Sequence, residues 1–204
     1  MKTYPVMLVL EGCQTVVVGS GPVALRKVRS LLDAGAEVRI VTRDLADDAD
    51  LGGTEVVRGD YEARHLTGAK LVFACTDSPA LNAQIAADAR RIGAIVNCAD
   101  QPDDCDFFVP AAICEGEVVV AIGTGGASPA LAAQLKQRLA EALPERIGQF
   151  AAALLRLREE LKTRVDDVHR RSDILKKLAE PESYQVFLRG GQKALTGILE
   201  QLIS

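Results

Sequence analysis

The sequence predicts an α/β protein in which an N-terminal parallel sheet is followed by a small strand–helix segment and a C-terminal helical domain. Three observations carry that prediction. Short β-branched runs alternate with helical patterns through the first half of the chain, the rhythm of strands joined by crossover helices. A glycine-rich turn stands between the first run and the first helical pattern. From residue 145 onward the pattern is almost wholly helical.

Residues 14–19 form a β-branched run ending in glycine, and residues 22–34 carry Val23, Ala24, Val28, Leu31 and Leu32 at helical spacing. Arg26, Lys27 and Arg29 point elsewhere on that helix, Gly35 terminates it, and residues 37–41 alternate as a second strand. Residues 56–58 make a weaker strand and Leu71–Ala74 a stronger one. A helix follows from Pro79 to about Ile92, Gly93 ends it, and residues 94–97 read as the next strand. This alternation implies a doubly wound, Rossmann-type sheet. After Pro110 the rhythm changes: residues 111–114 and Val118–Ile122 are separated by Glu115-Gly116-Glu117, as in a hairpin. Ser128 as N-cap and Pro129 as first helical residue then open a helix to about Leu143. The helical remainder is broken near Glu180-Pro181 and Gly190-Gly191. The expected division is residues 1–112, 113–146 and 147–204.

Composition excludes several function classes. The 204 residues are 48% hydrophobic and 25% charged, an ordinary globular mixture, with no Trp and 4% aromatics, so aliphatic residues must build the core. A net charge of −4 gives no general case for nucleic acid or an anionic membrane as partner. No apolar run approaches the roughly 20 residues that span a bilayer. The opening stretch to Leu10 is cut short by Glu11-Gly12 with no small-residue cleavage site, so it reads as an opening strand or its lead-in rather than a signal peptide. Five cysteines, Cys13, Cys75, Cys98, Cys105 and Cys114, are odd in number and lack a CxxC pair, which suits reduced cytoplasmic thiols. His65 and His169 lie too far apart to suggest a metal pair, and no metal site is expected.

Gly19-Ser20-Gly21-Pro22-Val23-Ala24 has the spacing of the dinucleotide fingerprint, with Ala24 in its last place. Gly19 permits the tight turn, Gly21 lets the backbone approach a pyrophosphate, and Ala24 lets the helix pack close to the strand. Pro22 and Val23 open a helix whose N–H groups and positive dipole end face the phosphates. A tight turn with no ligand is the alternative; the strand before, the helix after and the second strand at the right distance favour NAD or NADP. The acid expected at the end of the second strand is absent, and the chain reads Val41-Thr42-Arg43-Asp44. Asp44 serves the ribose hydroxyls if the loop turns back, whereas Arg43 suits the 2′-phosphate of NADP; the sequence leaves both open.

Several further segments coincide. They are Tyr4-Pro5-Val6, the run Val18 through Lys27, Ala74-Cys75-Thr76-Asp77 with Asn82, Val96-Asn97-Cys98-Ala99-Asp100, Phe107-Phe108-Val109-Pro110-Ala111 and residues 123–131. With these, residues 4–150 resemble the precorrin-2 dehydrogenase family, including the N-terminal half of siroheme synthase and its dehydrogenase/ferrochelatase relatives; the tail resembles it less. The resemblance implies oxidation of precorrin-2 to sirohydrochlorin with NAD as hydride acceptor, on the way to siroheme or cobalamin. It also implies iron or cobalt insertion in some members, and a homodimer in which the middle segment, residues 113–146, exchanges contacts between subunits. Fused siroheme synthases add a methyltransferase domain beyond this region, so no methyltransferase activity is expected of these 204 residues.

Dehydrogenation needs a hydride acceptor and a group to take a proton, and metal insertion needs a base for the pyrrole N–H protons. On the residues alone Asp100 caps a turn before Gln101-Pro102; with the resemblance it is the catalytic acid of the family, on the carboxyl edge of the sheet. Asp103, Asp104 and Asp106 either assist it in gathering a metal ion or form a solvated acidic loop. Thr76 and Asp77 border the nicotinamide or its ribose, unless Asp77 caps the helix at Pro79. Asn97 either contacts cofactor or substrate or plays a strand-end structural part. Residues 123–129 open a capped helix and read as an anion site or as a tight connection at a subunit interface, with Thr124 matching a substrate-lining position of the family. Because the tetrapyrrole carries many carboxylates, Arg170, Arg171, Lys176 and Lys177 in the tail are candidate holders, with ordinary solvated helix faces as the alternative. A reading of another class is a nucleotide-sensing regulatory module without tetrapyrrole chemistry.

Overall fold

Strands β1 (Gln14–Val18) and β4 (Leu71–Ala74) are nearly continuous aliphatic runs, as suits a sheet covered on both faces. In the computed structural model, which describes residues 2–45, 51–99 and 101–204, they lie at the middle of one. The chain forms two compact units, Tyr4–Val109 and Pro110–Ser204, the latter joined by the residues before Tyr4. The first holds a five-stranded sheet in the order β3–β2–β1–β4–β5, with every neighbouring pair parallel. Its other members are β2 (Glu37–Thr42), β3 (Thr54–Arg58) and β5 (Ile95–Cys98).

The period-2 alternation of the strands sorts their side chains between two helices. Val17, Ile40 and Phe73 share a row and pack with Ala24, Val28 and Leu31 of α1 (Pro22–Asp33). Val16, Val18, Val72 and Ala74 face the other way, against Ile85, Ala86 and Ala89 of α2 (Pro79–Arg91). β3 starts two residues before the β-branched pair that announces it, because parallel pairing of Thr54 with Val38 and Glu55 with Arg39 extends the edge. Arg39 reinforces it with a 2.8 Å ion pair to Glu55. Residues 2–10 form no strand and serve as a lead-in.

The second unit begins with the hairpin of β6 (Ala111–Glu115) and β7 (Val118–Ile122), antiparallel as expected. Next come α3 (Pro129–Ala142) and a bundle of α4 (Ile147–Arg164), α5 (Val168–Leu178) and α6 (Pro181–Ile203). Phe150, Leu157, Leu161, Ile174, Leu178, Phe187, Leu195 and Leu199 form the bundle core, with the Phe150 ring 5.3 Å from that of Phe187. The break at Glu180-Pro181 is the start of α6, and the one at Gly190-Gly191 is a kink inside it, at Gly191. A third break, which the helical pattern does not show, lies between α4 and α5, where Asp167 caps α5 by accepting the Arg170 N–H at 2.9 Å. No helix among the described residues is long and apolar enough to cross a membrane.

Gly148 in α4 fixes the fit of the bundle to the hairpin. A Cβ there would stand 2.0 Å from the Glu115 carbonyl oxygen and 3.0 Å from the Gly116 nitrogen, both backbone atoms. Gly148→Ala is expected to destabilise this unit by about 1–3 kcal/mol through overpacking, read as a lower midpoint in denaturant. A midpoint equal to wild type contradicts the packing described.

Candidate dinucleotide site

Because the sheet is parallel, the segments after β1, β2, β4 and β5 all leave it at one edge, the carboxyl edge where such folds take their ligands. That brings Gly19, Gly21, Pro22, Val23, Ala24, Arg43, Asp44, Thr76 and Asp77 to a single rim, with Asn97 in the strand beside them. Thr124 belongs to the other unit. Asp100 lies outside the described residues.

The two glycines of the turn are required for different reasons. Gly19 sits at φ 115°, and a Cβ on it would meet the Cys75 carbonyl oxygen at 2.3 Å. Its N–H donates to the Val41 carbonyl at 2.9 Å, so the turn is wedged between β2 and the end of β4. Gly21 has ordinary extended backbone, φ −67° and ψ 172°, and nothing lies within 4 Å of where its Cβ would be. The protein itself gives no reason for glycine at position 21; an approaching ligand does. No side chain caps the N-terminus of α1, as is also the case for α4 and α6, whereas Ser78, Ser128 and Asp167 cap α2, α3 and α5. The site therefore fits a pyrophosphate, with the Val23 and Ala24 N–H groups at the first turn and open space in front of Gly21. Gly21→Ala is expected to leave the melting temperature within a few degrees of wild type and to weaken nucleotide binding about tenfold or more, measured by titration. Unchanged affinity contradicts the close approach.

The loop after β2 does turn back. The Ser20 hydroxyl donates to the Asp44 carbonyl, and the Thr42 hydroxyl donates to Ser20 Oγ at 2.8 Å and lies 3.0 Å from the same carbonyl. This cluster ties Asp44 to the glycine turn, which is the condition under which its carboxylate can serve a ribose. Arg43 points to Asp60 beyond β3 and pairs its Nε with Oδ1 there.

After β4 the backbone is held by a side chain of α2. Asn82 of α2, 3% exposed, accepts the Thr76 N–H at 3.1 Å and the Thr76 hydroxyl at 2.7 Å, and donates to the Thr76 carbonyl at 3.0 Å. The Thr76 hydroxyl is thus spent on shaping the loop. Ser78, not Asp77, caps α2, its Oγ accepting the Leu81 N–H at 3.3 Å; Asp77 is exposed at the rim.

The segment that follows β5 is tethered on both sides of position 100. The Cys105 thiol accepts the Cys98 N–H at 3.2 Å and lies 3.3 Å from the carbonyls of both Cys98 and Gln101. Asn97 donates to the Phe107 carbonyl at 2.9 Å. Asp106 accepts the Val96 N–H at 3.0 Å and pairs with Arg90, so it is a loop tether rather than a solvated acid. Burial, then the neighbouring Cys105, pushes the Cys98 thiol up to about 11, and burial also raises Cys105, so both are neutral thiols. No group of three or more His, Cys, Asp or Glu among the described residues is placed to hold a metal ion. In the second unit the Thr124 hydroxyl accepts the Ser128 N–H at 3.4 Å, closing the turn before α3.

Comparison with known proteins agrees with this geometry. Residues 6–111 match a family described as "Putative NAD(P)-binding". The chain is 40% identical over 175 residues to the siroheme synthase of Pseudomonas putida (strain W619), covering 84% of this chain and 38% of that protein. It is 37% identical over 194 residues to the siroheme synthase of Methylococcus capsulatus (strain Bath), covering 93% and 41%. The chain thus spans about two-fifths of the length of these curated relatives. The solved structure of SirC, a precorrin-2 dehydrogenase, superposes with a TM-score of 0.79 at 24% identity, over 98% of each chain, and shares the fold. With a family match across more than half of its residues, the chain belongs to the family described as "Putative NAD(P)-binding", and it is similar to siroheme synthases along most of its own length.

Proposed function

We propose that this chain binds NAD at the turn of residues 19–24 and oxidises precorrin-2 to sirohydrochlorin. The observation that carries the cofactor half is Gly21: it has unstrained backbone, open space before it and an uncapped helix behind it. The substrate half rests on the kinship with siroheme synthases.

The roles follow from the chemistry. The α1 N-terminus holds the pyrophosphate through the Val23 and Ala24 N–H groups and the helix dipole. Asp44 accepts from ribose hydroxyls, and the Thr76–Asp77 backbone, shaped by Asn82, borders the nicotinamide end. Bound NAD supplies the hydride acceptor. Oxidation removes one hydride and one proton from the tetrapyrrole, and the Asp100 carboxylate takes the proton. The tethers from Cys105, Asp106 and Asn97 hold the chain on either side of that residue.

The same carboxylate is the base for pyrrole protons if ferrous iron or cobalt enters as a second substrate. The chain acts as a homodimer through residues 113–146, where Val119, Leu131 and Leu139 are 42%, 46% and 41% exposed. No disulfide joins the described cysteines, which suits a reducing cytoplasm.

Incubation with precorrin-2 and NAD tests the reading against that of a nucleotide sensor. Sirohydrochlorin, seen by its absorbance, is the expected product. NAD binding without conversion favours the sensor.

A further inference from the structure

We infer that Asp60 sets the cofactor preference of this site: it holds Arg43 and places a negative charge where the 2′-phosphate of NADP would lie. The inference rests on the dinucleotide reading above.

Arg43 is the first residue beyond β2, where dinucleotide folds commonly place the cation that receives a 2′-phosphate. On sequence alone it suits the 2′-phosphate of NADP, as Asp44 beside it suits the ribose of NAD, and the choice stays open. The structure gives it a partner that the sequence does not reveal. β2 and β3 run in parallel register with Thr42 opposite Arg58, and the Gly59 N–H donates to the Thr42 carbonyl at 2.9 Å. The two strand ends are therefore held side by side by backbone, and Arg43 and Asp60 leave them as neighbours. The Arg43 guanidinium pairs with the Asp60 carboxylate there.

The Ser20–Thr42–Asp44 cluster folds the backbone of residues 42–44 against the glycine turn, which keeps Arg43 beside the proposed ribose site. The ribose of NAD brings hydroxyl donors, which a carboxylate accepts. NADP brings a phosphate that must draw Arg43 away from Asp60 and then lie beside the carboxylate it has displaced. Asp60 disfavours the wrong ligand by repulsion as well as by occupying its cation. The pair is 75% and 72% exposed, so it contributes little to folding, and removing it reads out on binding.

The experiment measures NAD and NADP dissociation constants on the full chain, as wild type, Asp60→Ser, Arg43→Ala and the double variant. Wild type is expected to prefer NAD about tenfold or more, and Asp60→Ser to reduce that preference about tenfold. The double variant is expected to keep only a small part of the gain, the part due to lost repulsion, because the released Arg43 delivers most of it. A preference in Asp60→Ser within about twofold of wild type overturns the inference, as does a gain that survives in full without Arg43 or a wild type that prefers NADP. A folded wild type that binds neither nucleotide overturns the dinucleotide reading and the inference with it.

Discussion

Gly19→Ala is expected to destabilise the sheet unit by about 3–5 kcal/mol, the sum of a side chain forced into a left-handed backbone and an overpacked contact. The left-handed backbone is the φ of 115°, which L side chains rarely adopt. The contact is the Cys75 carbonyl oxygen at 2.3 Å, and it cannot yield cheaply. Cys75 follows β4 directly, and its N–H donates to the Val18 carbonyl at 2.8 Å, so moving it opens the β1–β4 seam at the rim. A unit of this size loses roughly 4–8 °C of melting temperature per kcal/mol, so a fall of about 10 °C or more is expected. Gly21→Ala, two residues on, is expected to fall far less. Calorimetry of the two variants separates the glycine that the fold needs from the glycine that the ligand needs. Equal melting temperatures contradict the distinction.

Asp100→Ala is expected to lower kcat for precorrin-2 oxidation by about a hundred- to ten-thousandfold, the usual worth of a positioned general base. NAD affinity serves as the control, since the proposed contacts to the nucleotide come from the residues after β1, β2 and β4. Asp100→Asn keeps the shape and removes the base, so it should lose activity to a similar degree. A fully active variant refutes the assigned role. Loss of NAD binding together with activity assigns Asp100 to the cofactor instead.

Much of this was legible in the sequence because it is local. The turn at residues 19–24 encodes its own conformation, and the flanking β-branched and helical patterns fix what stands on either side of it. Ser128-Pro129 announces the start of α3, and the same dipeptide at Ser78-Pro79 identifies the cap of α2, one place beyond Asp77. Asp167 likewise marks the start of α5 by its type. What stayed illegible depends on register between strands far apart in sequence. That Ser20, Thr42 and Asp44 meet requires β1 and β2 to pair with Val18 opposite Val41. That Arg43 meets Asp60 requires Thr42 opposite Arg58. The part played by Asp106, ten residues from its Val96 partner, appears only once the segment after β5 folds back along that strand.

The most direct test is stoichiometric. Precorrin-2 oxidation by NAD yields one sirohydrochlorin, one NADH and one proton per turnover, so both chromophores should rise together and in equal amounts when the protein is added, and neither without it. Sirohydrochlorin forming without NADH, or no product from a folded, NAD-binding protein, contradicts the proposed dehydrogenase.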